Sequence, residues 1–131
     1  MARTIMIVDD SRDDIELAEI ALKASGREVK VNSALSGEAA LISLRSEEKP
    51  VLVLLDLKMP GMSGIETLRK IREDSQLNEI PVVVLTSSSL PSDEEDAYAA
   101  GANGYLLKAI DLTHFSKDMK SLLDRWLSKN S

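Results

Sequence analysis

The sequence predicts an α/β fold, an open parallel sheet of five strands with helices on both faces, and three observations predict it. Five apolar runs of strand length alternate with five segments of helical periodicity along the whole chain. The third and fourth runs, 51–55 ("VLVLL") and 80–86 ("IPVVVLT"), lack alternation and are rich in β-branched residues, as strands buried on both faces are. With 131 residues, 44% of them hydrophobic, and no internal repeat, the chain has the size of one domain with a real core.

The first strand, 3–8 ("RTIMIV"), leads into a helix from Ser11 to about Ala24 that closes at Gly26. Ser11 and Asp14 have the spacing of a capping box, with Asp in place of the usual Glu. The second strand, 28–34 ("EVKVNSA"), alternates more visibly, as an edge strand should. Ser36 starts a helix carrying Ala40, Leu41 and Leu44. The third strand ends on Asp56, and a helix from about Gly64 to Asp74 follows, with Ile65, Leu68 and Ile71 on one face. After the fourth strand, Ser92 is the expected cap of a helix whose Asp93, Glu94 and Glu95 suit its positive end; Gly101 closes it. The fifth strand is 104–108 ("GYLLK"). Asp111 then caps a last helix with a stripe of Leu112, Phe115, Met119, Leu122 and Trp126.

Composition excludes several classes of function. The 16 basic and 22 acidic residues leave a net charge of −6, with no basic stripe to follow a nucleic-acid backbone. Cysteine is absent, so there is no disulfide framework, thiol nucleophile or cysteine-based zinc site. The single histidine, His114, cannot form a two-histidine metal site and reads as a surface residue near a helix start. "MART" leads straight into the first strand without a leader pattern, and no apolar run approaches a bilayer span, so a cytoplasmic protein is expected.

The polar residues fall at the strand ends. The first strand stops at Asp9–Asp10, the third at Asp56, the fourth at Thr86–Ser87 and the fifth at Lys108. In open α/β sheets the functional crevice lies outside the carboxyl ends of the strands. Three carboxylates, a hydroxyl and an ammonium therefore meet at one edge. Clustered carboxylates repel unless a hard cation relieves them, and Mg²⁺ favours such oxygen ligands together with a phosphate. Asp10 and Asp56 are the expected direct ligands, Asp9 acts directly or through water, and the Lys58 backbone carbonyl completes the set. An Asp beside Mg²⁺, with Lys108 and the Thr86 hydroxyl opposite, suits acceptance of a phosphoryl group.

The Asp9–Asp10 pair, "LLDLKMPGMSG" (54–64), "VVLTS" (83–87) and "GYLLK" resemble the receiver domain of bacterial two-component response regulators. The resemblance runs from Thr4 to about Leu127. It implies the flavodoxin-like strand order 2-1-3-4-5. It further implies a single receiver domain over 1–131 without an output domain, and a sensor histidine kinase as phosphoryl donor. Asp56 is the implied phosphoacceptor, Thr86 and Lys108 bind the phosphoryl, and Tyr105 reorients with Thr86 on activation. Signalling then passes to a downstream protein target or phosphotransfer protein through the face of the fourth helix, fifth strand and fifth helix (about 92–127). A homodimer through that face belongs to the same implication. No enzyme activity is expected beyond the chain's own phosphotransfer and slow autodephosphorylation. One departure stands out, since receivers usually place Pro after the active-site Lys through a cis bond, whereas here Ala109 follows Lys108 and base rates favour trans. Together with "DRWL" (124–127), this resembles the small receivers that partner phytochrome-type kinases.

Two other functions fit part of the pattern. A receiver-like interaction module that no longer takes phosphate would not need the complete set of acids, hydroxyl and lysine. An aspartyl-phosphate hydrolase of the haloacid-dehalogenase type would place Asp-x-Asp after the first strand, where this chain has an adjacent pair, and would need a cap domain. Each residue taken singly has a plainer use: Asp56 as a turn, Asp9 and Asp10 as a helix entry, Thr86 as loop chemistry, Lys108 as a solvated strand end and Tyr105 as packing. Gly61 and Gly64 are expected to serve turn geometry near Asp56.

Overall fold

A computed structural model describes residues 3–46, 49–108 and 111–128. Its elements alternate strictly: β1 (Arg3–Val8), α1 (Arg12–Ala24), β2 (Val29–Ala34), α2 (Gly37–Ser46), β3 (Leu52–Leu55), α3 (Gly64–Glu73), β4 (Val82–Thr86), α4 (Pro91–Ala99), β5 (Gly104–Leu107) and α5 (Leu112–Ser128). All strand pairs are parallel, in the order β2-β1-β3-β4-β5, as the family resemblance implies. Chain direction reverses its progress across the sheet at β1 and β3, so the two strands that begin the doubly wound halves lie side by side.

The sheet separates two cores by the period of two in its strands. Met6, Val8, Val53, Leu55 and Val82 face Ala40, Leu41 and Leu44 of α2 and Leu68 and Ile71 of α3. Ile5, Ile7, Leu52, Leu54, Val83 and Leu85 face Ile15, Ala18, Ala21 and Leu22 of α1 and Phe115, Met119, Leu123 and Leu127 of α5. Every residue of β3 and β4 is buried, which explains their unbroken apolar runs. Burying each large aliphatic side chain in these layers contributes about 1.5–3 kcal/mol. The strand ends therefore sit on a stiff base.

Local signals differ from the sequence reading in four places. Ser11 caps α1 and accepts from the Asp14 N–H at 3.2 Å, but the reciprocal half of the expected box is missing: the Ser11 N–H donates to Asp9 Oδ1 at 2.9 Å. The complete capping box belongs to α3, where the Ser63 side chain and Glu66 exchange bonds with each other's backbone. α4 is not capped by Ser92; Leu90 takes that position without a side-chain bond, and Pro91 opens the helix because its fixed φ suits the first turn. The buried stripe of α5 is Phe115, Met119, Leu123 and Leu127, with Leu122 and Trp126 half-buried at its margin. Phe115 to Leu127 in steps of four follow one helical face, which Leu122 leaves by one position. Ser36 and Asp111 do act as caps, accepting from the N–H groups of Ala39 and His114. Among the described residues no helix is long and apolar enough to cross a membrane.

Candidate functional site

Each site residue leaves a strand without leaving the backbone ladder. The Asp9 N–H donates to the Ala34 carbonyl at 3.1 Å, the Asp56 N–H to Val8 at 2.9 Å and the Lys108 N–H to Thr86 at 2.8 Å. Side chains placed this way inherit the rigidity of the sheet. Behind Asp56 the chain turns through Gly61, whose φ of +74° is the left-handed turn conformation expected of it. Gly64 serves a different need: a Cβ there would fall 2.1 Å from the Asp56 carbonyl oxygen. The first turn of α3 packs directly on the Asp56 backbone, and only glycine permits that approach.

Asp9, Asp10 and Asp56 each offer a carboxylate oxygen, all within 4.8 Å of one another. Asp9 and Asp56 are 3% and 8% exposed, while Asp10 opens to solvent. The trio thus has two buried walls and one wet entrance. Its donors are hard oxygens alone, the chemistry suited to Mg²⁺ or Mn²⁺ rather than to zinc or copper. The structure brings Lys108 to the same crevice, where Nζ donates to Asp9 Oδ2 at 2.7 Å and to Asp14 Oδ2 at 2.8 Å. Asp56 Oδ1 lies 3.8 Å from Nζ, an ion pair without a hydrogen bond. Burial by itself would lower the Lys108 pKa, but its bonds to Asp14 and Asp9 and the nearby Asp56 outweigh it, so the pKa is raised and the ammonium stays charged.

Asp56 is the strained member. Burial raises its pKa, Lys108 opposes that rise, Asp9 adds to it, and hydrogen bonds from the Leu57 N–H and Thr86 side chain oppose it. The net direction is upward. Thr86 is fully buried, with its hydroxyl toward Asp56, and its oxygen also accepts from the Ser88 N–H at 3.3 Å. One position further along the sheet, the Tyr105 hydroxyl donates to the Ser88 carbonyl at 2.8 Å. Tyr105 packs with Leu57, Val84 and Ala97, between the site and α4. Burial raises its phenol pKa, so it remains a donor.

The Lys58 side chain extends away, its Nζ 3.9 Å from Asp93 Oδ2. His114 is exposed, and its Nδ1 pairs with Asp111 at 2.7 Å. The Lys108–Ala109 bond lies outside the described residues. The residue that sequence reasoning missed is Asp14. Its spacing from Ser11 suggests a cap, whereas its carboxylate reaches Lys108, because Asp9 has already taken the Ser11 N–H.

Similarity to known proteins agrees with this geometry. A model of the response regulator receiver domain matches residues 5–120. The polar-differentiation response regulator DivK of Brucella ovis is 32% identical over 124 residues, covering 94% of this chain and 98% of DivK. Among solved structures, the phosphorylated cyanobacterial phytochrome response regulator RcpA superposes with a TM-score of 0.90 at 32% identity, over 98% of this chain and 96% of that one. The Mn²⁺-bound form of the response regulator Rcp1 gives 0.80 at 32% identity, over 95% of this chain and 94% of that one. A sheet in the order 2-1-3-4-5, an acidic trio with a lysine at its carboxyl edge and a match over most of the chain lead to one conclusion: this protein belongs to the response regulator receiver domains of two-component signalling.

Proposed function

We propose that Asp56 accepts a phosphoryl group from the phosphohistidine of a sensor histidine kinase. The observation that carries this reading is a buried carboxylate at a strand end, with Lys108 3.8 Å away and a hydrogen bond from the Thr86 side chain. In the transfer an Asp56 carboxylate oxygen attacks phosphorus, the new O–P bond forms, and the P–N bond breaks with its electron pair returning to the imidazole. Phosphoryl transfer requires little beyond positioning and charge neutralisation, and the residues present supply both. The β-sheet fixes Asp56, Lys108 meets the equatorial oxygens, and Thr86 donates to the phosphoryl once attached. Asp9, Asp10 and Asp56, with the Lys58 backbone carbonyl, would hold Mg²⁺, which when bound neutralises charge on the phosphoryl oxygens.

Thr86 and Tyr105 are the proposed switch. Thr86 drawn toward a phosphoryl would release the Ser88 N–H, and Tyr105 holds the same residue by its carbonyl. A change at Ser88 thus reaches the α4–β5–α5 face, where a downstream protein, a phosphotransfer protein or a second copy would read it. Similarity to RcpA and the "DRWL" segment support a phytochrome-type kinase as the donor.

Intact-mass measurement after incubation with acetyl phosphate tests the reading. One phosphoryl adduct should form with Mg²⁺ and none in EDTA, and Asp56→Asn should form none. An undiminished adduct on Asp56→Asn would refute the assignment, and continued turnover of the donor would mark a phosphatase.

A further inference from the structure

We propose that Asp14 is a positioning residue for phosphoryl transfer, holding Lys108 in the crevice through a contact that metal binding does not contest. The inference rests on Asp56 being the phosphoacceptor. It starts from a conflict at Asp9. That carboxylate is already shared, with Oδ1 accepting the Ser11 N–H at 2.9 Å and Oδ2 accepting Lys108 at 2.7 Å. It is also one of the three carboxylates close enough to hold a cation. A cation drawing on Asp9 competes with Lys108 for the same oxygens and repels the ammonium.

Asp14 lies outside the trio, 2.8 Å from Nζ. It occupies the third position of α1, where an acid ordinarily turns back to the cap residue's N–H. Here Asp9 holds that N–H, so the Asp14 carboxylate reaches Lys108 instead. An ammonium has three N–H donors, and Asp9 and Asp14 take two. Asp56 Oδ1, at 3.8 Å, is about 1 Å beyond a charge-assisted hydrogen bond. Atoms added at Asp56 close that gap while Nζ stays where it is. With the cation on Asp9, Asp14 alone among these partners keeps the ammonium in reach. Without it, a four-carbon side chain recovers its rotamer freedom and leaves the crevice.

The test titrates beryllofluoride, a phosphoryl analogue, calorimetrically into wild type, Asp14→Asn, Asp14→Glu and Asp13→Asn at saturating Mg²⁺. Mg²⁺ affinity is measured separately on each. Asp13 is the charge control, an exposed neighbour in the same helical turn. The charged, half-exposed contact sets the expectation of an about ten-fold loss of beryllofluoride affinity in Asp14→Asn. Asp13→Asn should change it less than about two-fold, as a surface charge does. Asp14→Glu should recover most of the loss, because its carboxylate can reach the same ammonium. Mg²⁺ affinity should fall equally in the two Asn variants, since each removes one charge. Beryllofluoride affinity equal in Asp14→Asn and Asp13→Asn would overturn the inference while leaving the phosphoacceptor intact. A wild type that binds no beryllofluoride would overturn the proposed function itself, and this inference with it.

Discussion

Replacing Asp56 by a neutral isostere should make the metal-free protein more stable. The reason lies in three distances and one burial. Asp9 and Asp56 oxygens lie within 4.8 Å, so at an effective dielectric of about 20 they repel by at least about 3.5 kcal/mol. Exposed Asp10 acts nearer the aqueous limit and adds about 1 kcal/mol. Lys108, at 3.8 Å, attracts Asp56 by about 4.4 kcal/mol on the same scale. These pairwise energies cancel to within about 1 kcal/mol, and desolvation decides the sign. Burial is also the largest cause of the raised Asp56 pKa. Hydrogen bonds from Leu57 and Thr86 offset part of a penalty of several kcal/mol, leaving about 1–2 kcal/mol for a neutral isostere to recover.

Asp56→Asn should therefore raise Tm by roughly 3–6 °C in EDTA at pH 7.5. The pH dependence fixes the cause. With its pKa raised on folding, Asp56 keeps its proton in the native state to a higher pH than in the unfolded chain. Wild-type stability falls as pH rises through that window, and the penalty is complete above it. The gap between the two proteins should thus be full at pH 7.5 and close toward about pH 4, near the unfolded carboxylate value. Thermal and urea melts followed by circular dichroism measure it. A variant less stable than wild type at pH 7.5, or a gap unchanged down to pH 4, would show that Lys108 makes the carboxylate a net stabiliser.

The remaining expectations concern the metal and the output. Mg²⁺ at ten times its Kd should stabilise wild type by about 1.4 kcal/mol, and Asp10→Ala should lose most of that gain; a melting temperature indifferent to millimolar Mg²⁺ counts against the metal site. Beryllofluoride with Mg²⁺ should increase self-association or kinase binding at the α4–β5–α5 face, measured by sedimentation and by binding to the kinase, and Tyr105→Ala should blunt it. No change in either association, in wild type or variant, would remove the switch from this face.

How much the sequence revealed depends on whether one residue or several decided the outcome. Strand identity and the residues at the carboxyl edge were legible because each apolar run has strand length and four of the five stop at Asp9, Asp56, Thr86 and Lys108, whereas the strand order came from the family resemblance. Where two groups compete for one partner, local spacing misleads. Ser11 and Asp14 have a correct capping distance, yet Asp9, already fixed at the end of β1, reaches the Ser11 N–H first. Ser92 is a good cap residue, but Pro91 sets the helix start two residues earlier. Leu122 fits the α5 period as well as Leu123 does, and only packing against the sheet and α1 distinguishes them. These outcomes are tertiary, and no window on the sequence contains them.

The same competition explains why a signal at the sheet edge would reach α4 before any other helix. α1 buries Ile15, Ala18, Ala21 and Leu22 and α5 buries Phe115, Met119, Leu123 and Leu127, whereas among the residues of α4 only Ala97 is buried. The far end of α4 is held firmly. Arg72 Nε donates to the Gly101 carbonyl at 2.9 Å, and its guanidinium also donates to Asn78, Ile80 and the Asn103 side chain. Asn103 Oδ1 in turn accepts the Val82 N–H at 2.8 Å, locking that end to the start of β4. The near end has no side-chain cap and hangs on Ser88, which bonds Asp93, Thr86 and Tyr105 at once. A helix clamped at one end and held at the other by Ser88 and by the exposed Lys58–Asp93 pair has one soft direction. Any rearrangement of Thr86 acts on that serine, while β3, β4 and their buried layers stay fixed. The stiffness of the sheet is what would turn a sub-ångström change at Asp56 into a displacement of α4.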